Sequence, residues 1–261
     1  MPHFAADSRV VHHVRPSPSH DDRADRLIDI LLLHYTGMAS TEAAIARLCE
    51  PAAKVSSHYV VDEAGQVLQL VPEQRRAWHA GVSSWEGTTD LNSRSIGIEI
   101  ANPGHSFGYP DFTEAQIASV IALGRDIVAR HQIRPYRVLA HSDVAPLRKI
   151  DPGEKFPWAR LYRAGIGAWT EPSPIIDSEF TQVEASDAGV ASGANPAKVQ
   201  SALKRYGYGI ELTGTYDALT TAVVSAFQRH FRPVRVDGRA DHSTIATLEA
   251  LLAARDGASN A

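Results

Sequence analysis

The stretch from Glu171 to Asn195, reading EPSPIIDSEFTQVEASDAGVASGAN, limits what this chain can fold into more than any other feature. It is rich in Pro, Ser, Ala and Asp and has no helical periodicity, which marks it as a linker. A chain of 261 residues is long enough for one large domain or two ordinary ones, and an interruption there favours two. We expect a larger one at 1–170 with an N-terminal extension at 1–24, a linker at 171–194, and a smaller unit at 195–261. With 44% hydrophobic and 21% charged residues, neither part has the composition of a disordered chain.

The larger unit mixes strand and helix signals. Ile28 to Leu33 is mostly apolar between a charged segment and Thr36-Gly37, as a strand buried on both faces requires. Ser57–Val61 and Gln66–Val71 flank Asp62-Glu63-Ala64-Gly65, a hairpin pattern with Gly in the loop. Ile96–Ala101 and Arg137–Ala140 are further strand candidates. One helix is expected from Ser40 to Cys49, stopped by Pro51. Another starts at Thr113, with Gln116 completing a capping box. Its stripe is Ile117, Val120, Ile121, Gly124, Ile127 and Val128. Strands interspersed with helices imply an α/β or α+β core. The smaller unit reads as all-α, three short helices opened by Asn195-Pro196, Asp217 and Asp241. About 65 residues in three helices can fold alone, though marginally.

Several functions are excluded at once. A net charge of −4 supplies no basic field, so no nucleic acid partner is expected. Cys49 is the only cysteine, which rules out an intrachain disulfide and any multi-cysteine metal site. The apolar run Ile30-Leu31-Leu32-Leu33 is far short of a transmembrane segment. Met1 to His20 is polar or charged throughout, without the apolar stretch of a secretory signal. That pattern predicts a cytoplasmic protein, with a periplasmic or cell-envelope location as the alternative if a leader has been removed.

Among 12 histidines, His3, His12, His13, His20, His230 and His242 are expected at the solvated surface. His34 and His141 stand apart, each ending an apolar run, where a strand edge can hold a side chain rigidly. Asp151 follows His141 by ten residues, in an Asp-Pro-Gly sequence. Two imidazoles and a carboxylate make a catalytic zinc site; a core histidine pair and a turn-forming Asp fit the spacing as well. If the segment is extended, Lys149 shares a face with Asp151 and can stabilise an oxyanion; it can equally be a solvated Lys beside Arg148. In Ile96-Gly97-Ile98-Glu99-Ile100, Glu99 faces away from the isoleucines. A carboxylate held inward on a strand suits a general base, and one turned outward is simply solvated.

Five segments, taken together, resemble the zinc-dependent N-acetylmuramoyl-L-alanine amidase family, whose fold is shared with peptidoglycan recognition proteins. They are Leu33-His34-Tyr35-Thr36, Ser57-His58-Tyr59-Val60-Val61-Asp62, Ala77-Trp78-His79-Ala80-Gly81, Asn92 through Glu99, and His141-Ser142-Asp143 through Lys149 to Asp151-Pro152-Gly153. The resemblance covers residues 25–165 and implies a central mixed sheet flanked by helices, with zinc (Zn2+) in a surface groove. It implies His34, His141 and Asp151 as zinc ligands, and Glu99 and Lys149 as catalytic partners. His58, Trp78, His79, Arg94 and Tyr35 become candidates for substrate contact, although Tyr35 stands where many recycling-type relatives carry Asn. The implied reaction is hydrolysis of the amide joining N-acetylmuramic acid, or its 1,6-anhydro form, to L-alanine of peptidoglycan or muropeptides. The alternative is a non-catalytic recognition protein on the same fold. Residues 195–261 are similar to a three-helix peptidoglycan-binding module through Val199-Gln200-Ser201-Ala202-Leu203, Gly214-Thr215-Tyr216-Asp217, Ala226-Phe227-Gln228 and Val236-Asp237-Gly238.

Overall fold

The computed structural model describes residues 4–175 and 195–259, so that most of the expected linker, and His3, lie outside the described residues. The strands are β1 (His13–Val14), β2 (His20–Asp22), β3 (Ile30–Tyr35), β4 (Tyr59–Val61), β5 (Val67–Gln69), β6 (Arg75–Ala77), β7 (Ser95–Ile100) and β8 (Val138–Ala140). The helices are α1 (Thr41–Cys49), α2 (Glu114–His131), α3 (His141–Val144), α4 (Trp158–Arg163), α5 (Pro196–Tyr206), α6 (Ala218–Phe231) and α7 (His242–Ser259). Six strands form one mixed sheet in the order β1-β5-β4-β7-β3-β8, while β2 and β6 make a separate ribbon. Only β4 and β5 run antiparallel in the large sheet, as a hairpin demands. This is the mixed sheet with flanking helices that the family resemblance implied.

The all-apolar start of β3 is explained by its place between β7 and β8, covered on both sides. Side chains alternate across a strand. Leu31 and Leu33 join Ile96, Ile98 and Ile100 of β7 against Ile117, Val120, Leu123 and Ile127 of α2. Thr113 caps α2 reciprocally: its Oγ1 accepts the Gln116 N–H (3.1 Å) and Gln116 Oε1 accepts the Thr113 N–H (2.9 Å). Leu123 takes the central place on that helix, and Ile121 and Val128 are only half-buried at its margins.

The extension at 1–24 is not a detached leader over its described part. β1 pairs parallel with β5, and β2 pairs antiparallel with β6. Arg23 is 5% exposed and donates to the carbonyls of Glu73 (2.7 Å), Asn92 (3.0 Å) and Ser95 (2.8 Å). Strands of two and three residues are too short for alternation to show in a sequence.

The opposite face of β3 carries Ile30 and Leu32, and here the expectation of a self-sufficient helical unit changes. α5, α6 and α7 begin where their caps predict, but Val199, Leu203, Phe227, Phe231 and Leu252 belong to one apolar cluster with Ile30, Leu32, Leu139 and Val144. The backbone crosses the seam too, the Glu86 N–H donating to the Gly207 carbonyl (2.8 Å). Gly207, at φ +136°, lets α5 end flat on Trp85; a Cβ there would meet the indole at 2.6 Å. His230 is a correction of the same kind. Expected at the surface, it is 1% exposed, its ring stacked on Trp158 of the larger unit (3.7 Å between centroids). A helix stripe read alone cannot reveal a second surface that covers it.

Candidate active site

The ends of β3, β7 and β8 converge on one patch. In the β3–β7 register His34 stands beside Glu99, both at the carboxyl ends of their strands. β8 runs directly into α3, whose first residue is His141. The loop that follows returns, the Ser142 N–H donating to the Asp151 carbonyl (3.0 Å). The result brings three expected ligands together. His34 Nδ1 lies 2.9 Å from His141 Nδ1 and 3.2 Å from Asp151 Oδ2, and His141 Nδ1 lies 3.0 Å from that same oxygen. All three residues are buried.

The hydrogen-bond directions show what these atoms can do. Ser95 Oγ donates to the Leu91 carbonyl (2.6 Å), so it accepts from His79 Nε2–H (3.2 Å). A neutral His79 then accepts at Nδ1 from His34 Nε2–H (3.0 Å), leaving His34 Nδ1 with a bare lone pair. His141 donates Nε2–H to the Ala80 carbonyl (3.1 Å), so in the neutral ring, the form in which a histidine binds a metal, Nδ1 is bare as well. Burial, then the neighbouring His141, pushes His34 down to about 4, so its ring is neutral at pH 7. With both rings neutral, three lone-pair atoms face one another at 2.9–3.2 Å. A cation resolves that conflict, and a borderline-to-hard N,N,O donor set with outer hydrogen bonds fixing each ring fits a divalent metal.

Glu99 turns into the groove beside this trio, and its Oε2 is buried with no hydrogen-bond partner among the described residues. Burial, and then the Asp151 carboxylate, raise its pKa well above the usual value, with Lys149 opposing. Lys149 lines the groove with Asp151, although not by the extended geometry expected from i and i+2 spacing: its N–H closes a turn on the Ala145 carbonyl (3.0 Å). The groove encloses about 470 Å³, and Tyr35, Trp78 and His79 also line it.

Two expected contact residues sit elsewhere. His58 is fully buried behind His79, its Nδ1 accepting the Gly97 N–H (3.0 Å); burial and then the Arg23 guanidinium push it down to about 3. Arg94 lies at the opposite, amino-terminal ends of β3 and β7, where its Nε donates to Asp29 Oδ1 (2.9 Å). Its neighbour in the quoted segment, Asn92, acts locally, its Oδ1 accepting the N–H groups of His79 (3.0 Å) and Ala80 (2.8 Å). Arg148 was not expected at the site, yet it lines the groove and donates to the same Ala80 carbonyl (3.1 Å) that orients His141. Nor did the sequence give a reason for Gly97. A Cβ there would stand 2.6 Å from His79 Nδ1, so only glycine admits the imidazole that orients His34.

Comparison with known proteins gives this arrangement its family. The N-acetylmuramoyl-L-alanine amidase profile matches residues 23–154, and a peptidoglycan binding domain profile matches residues 192–248. The N-acetylmuramoyl-L-alanine amidase AmiD of Escherichia coli (strain K12) is 40% identical over 237 residues, covering 86% of this chain and 82% of AmiD. The chain belongs to the N-acetylmuramoyl-L-alanine amidase family. The solved complex of E. coli AmiD with anhydro-N-acetylmuramic acid-L-Ala-D-γ-Glu-L-Lys matches at a TM-score of 0.74 and 38% identity, covering 92% of this chain and 93% of that one. AmpDh3 from Pseudomonas aeruginosa, solved with anhydromuramic pentapeptide, matches at 0.73 and 32%, covering 98% and 99%.

Proposed function

We propose that this chain is a zinc-dependent amidase that cleaves the bond between the lactyl carbonyl of an N-acetylmuramic, or 1,6-anhydro-N-acetylmuramic, residue and the L-alanine of a muropeptide. The observation that carries the reading is the convergence, at one groove, of three facing ligand atoms and one buried carboxylate oxygen without a partner among the described residues. The muropeptide ligands bound by the two solved relatives support the substrate class.

In this reading His34, His141 and Asp151 hold the zinc ion. When bound, zinc polarises the scissile carbonyl and makes the attacking water more acidic. Glu99 is suited to take the water's proton, because no donor among the described residues competes for its Oε2 and burial raises its affinity for a proton. It then delivers that proton to the departing amine of L-alanine. The Lys149 ammonium stabilises the oxyanion that forms as the carbonyl carbon becomes tetrahedral. Trp78 is held by its Nε1–H donating to Asp21 Oδ2 (2.7 Å), which leaves the indole on the groove wall for the sugar or peptide.

Mass spectrometry of products from paired anhydro- and reduced muropeptides tests the proposal. We expect free peptide with an L-alanine amino terminus, its formation abolished by a strong chelator and restored by zinc. Intact substrate after long incubation with zinc, or cleavage at any other bond, overturns it.

A further inference from the structure

The C-terminal helices reach both segments that carry the candidate metal ligands. Asp143 lies two residues after His141 within α3, and its carboxylate is fully enclosed. Oδ2 accepts the Ala140 N–H (2.8 Å) and so fixes the start of α3 at the point where His141 leaves β8. The other two donors come from the far side of the linker. His230 Nδ1–H of α6 donates to Oδ2 (2.7 Å), and the Tyr208 hydroxyl, just after α5, donates to Oδ1 (2.8 Å). Val144, the last residue of α3, is part of the apolar cluster shared with those helices.

The residue before His230 reaches the other ligand segment. Arg229 Nε lies 4.0 Å from Glu154 Oε2, three residues after Asp151. Glu154 accepts from His105 Nε2–H (3.2 Å), and His105 Nδ1 accepts the Tyr35 hydroxyl (3.1 Å), next in sequence to His34. Consecutive residues of one helix thus address the surroundings of all three candidate ligands.

We propose that residues 195–259 act as a positioning element for the metal centre, holding His141 in place through Asp143, in addition to whatever they bind outside the groove. A buried carboxylate with three donors has one favourable orientation, and removing a donor leaves part of its charge unsatisfied. A shift of α3 relieves that charge, and His141 must follow the helix. Groups that hydrogen-bond a ligand directly commonly alter metal affinity by about 10–100-fold, and Asp143, which acts one step further out through the Ala140 N–H, is expected at the lower end of that range. The inference rests on the metal reading of His34, His141 and Asp151.

The test is zinc affinity of the full chain, measured by competition with a chromogenic chelator and paired with thermal melting. Tyr208→Phe removes one hydroxyl and keeps the ring. His230→Leu removes the second donor, whereas His230→Asn loses the same ring stacking but keeps an N–H donor close to the Nδ1 position. Glu86→Gln serves as the control, since Glu86 joins Arg137 of the larger unit and Arg255 of α7 at a part of the seam without candidate ligands. We expect Tyr208→Phe and His230→Leu to weaken zinc about tenfold, His230→Asn to recover most of that loss, and Glu86→Gln to leave affinity unchanged. Zinc affinity equal to wild type in both Tyr208→Phe and His230→Leu, or a loss in Glu86→Gln as large as theirs, overturns the positioning role. Wild-type protein that binds no zinc overturns the metal reading itself and this inference with it.

Discussion

Glu73 and Glu99 are both carboxylates taken out of water by the larger unit, and their surroundings are opposite. Glu73 is met by the Tyr59 hydroxyl (2.6 Å), the Arg130 guanidinium (2.8 Å) and His131 Nε2 (2.6 Å). Burial disfavours its charge, yet Arg130, His131 and Tyr59 together outweigh that and hold it well below the usual carboxylate range. Among the described residues Glu99 Oε2 meets no such donor, and burial and Asp151 raise its pKa. Native proteins satisfy nearly all buried polar groups, so a saturated carboxylate is read as structural and an unsatisfied one as a group held ready for a ligand or a proton. Asp143, with three donors, falls on the Glu73 side of this division although it lies close to a candidate metal ligand. The division gives predictions for each class.

The largest effect is expected at Glu99. Glu99→Gln keeps the shape and removes the proposed base, so turnover should fall by about 10²–10⁴-fold. Bound zinc should remain stoichiometric and the melting temperature should not drop, because no neighbour loses a hydrogen-bond acceptor. Turnover by stopped assay with metal analysis on the same sample checks both, and near-wild-type turnover would exclude Glu99 as the base. Lys149→Ala comes next. Removing one oxyanion stabiliser typically costs about 2.7–4 kcal/mol, or about 10²–10³ in turnover. The fall should appear in kcat with KM little changed, and a change confined to KM would make Lys149 a substrate-binding group instead.

How much of this was legible in the sequence follows from how local each signal is. The alternation in Ile96-Gly97-Ile98-Glu99-Ile100 carries its meaning within five residues, and β7 turns the isoleucines to α2 and Glu99 to the groove. His34 and His141 announced themselves by ending apolar runs, because a strand's end is written in its own residues. The seam was not legible. His230 looks like any polar residue on an amphipathic helix, and nothing near it in sequence indicates Trp158 or Asp143. The orientation of His34 through His79 and Ser95 depends on residues 45 or more positions away, joined only once β3 and β7 lie side by side. Arg94 shows the converse error: a motif position suggested a ligand contact, whereas the register puts it at the wrong end of the strands.

Glu73→Gln should give the smallest effect on catalysis and the clearest one on stability. Arg130, His131 and Tyr59 would lose a charged acceptor, which costs about 1–3 kcal/mol. Turnover at saturating substrate should be unchanged, since Glu73 is not among the groove residues. The cost also has a definite pH dependence. A carboxyl whose folded pKa lies below its unfolded value of 4.5 stabilises the fold fully above that value, and loses the contribution as pH falls through the folded pKa. Urea unfolding of the wild type and Glu73→Gln should therefore differ by the full amount at pH 7 and converge progressively below about pH 4.5. A gap that stays constant into acid would mean that Glu73 acts by shape rather than charge. A loss of turnover in Glu73→Gln at pH 7 would break the division between saturated and unsaturated carboxylates on which the assignment of Glu99 depends.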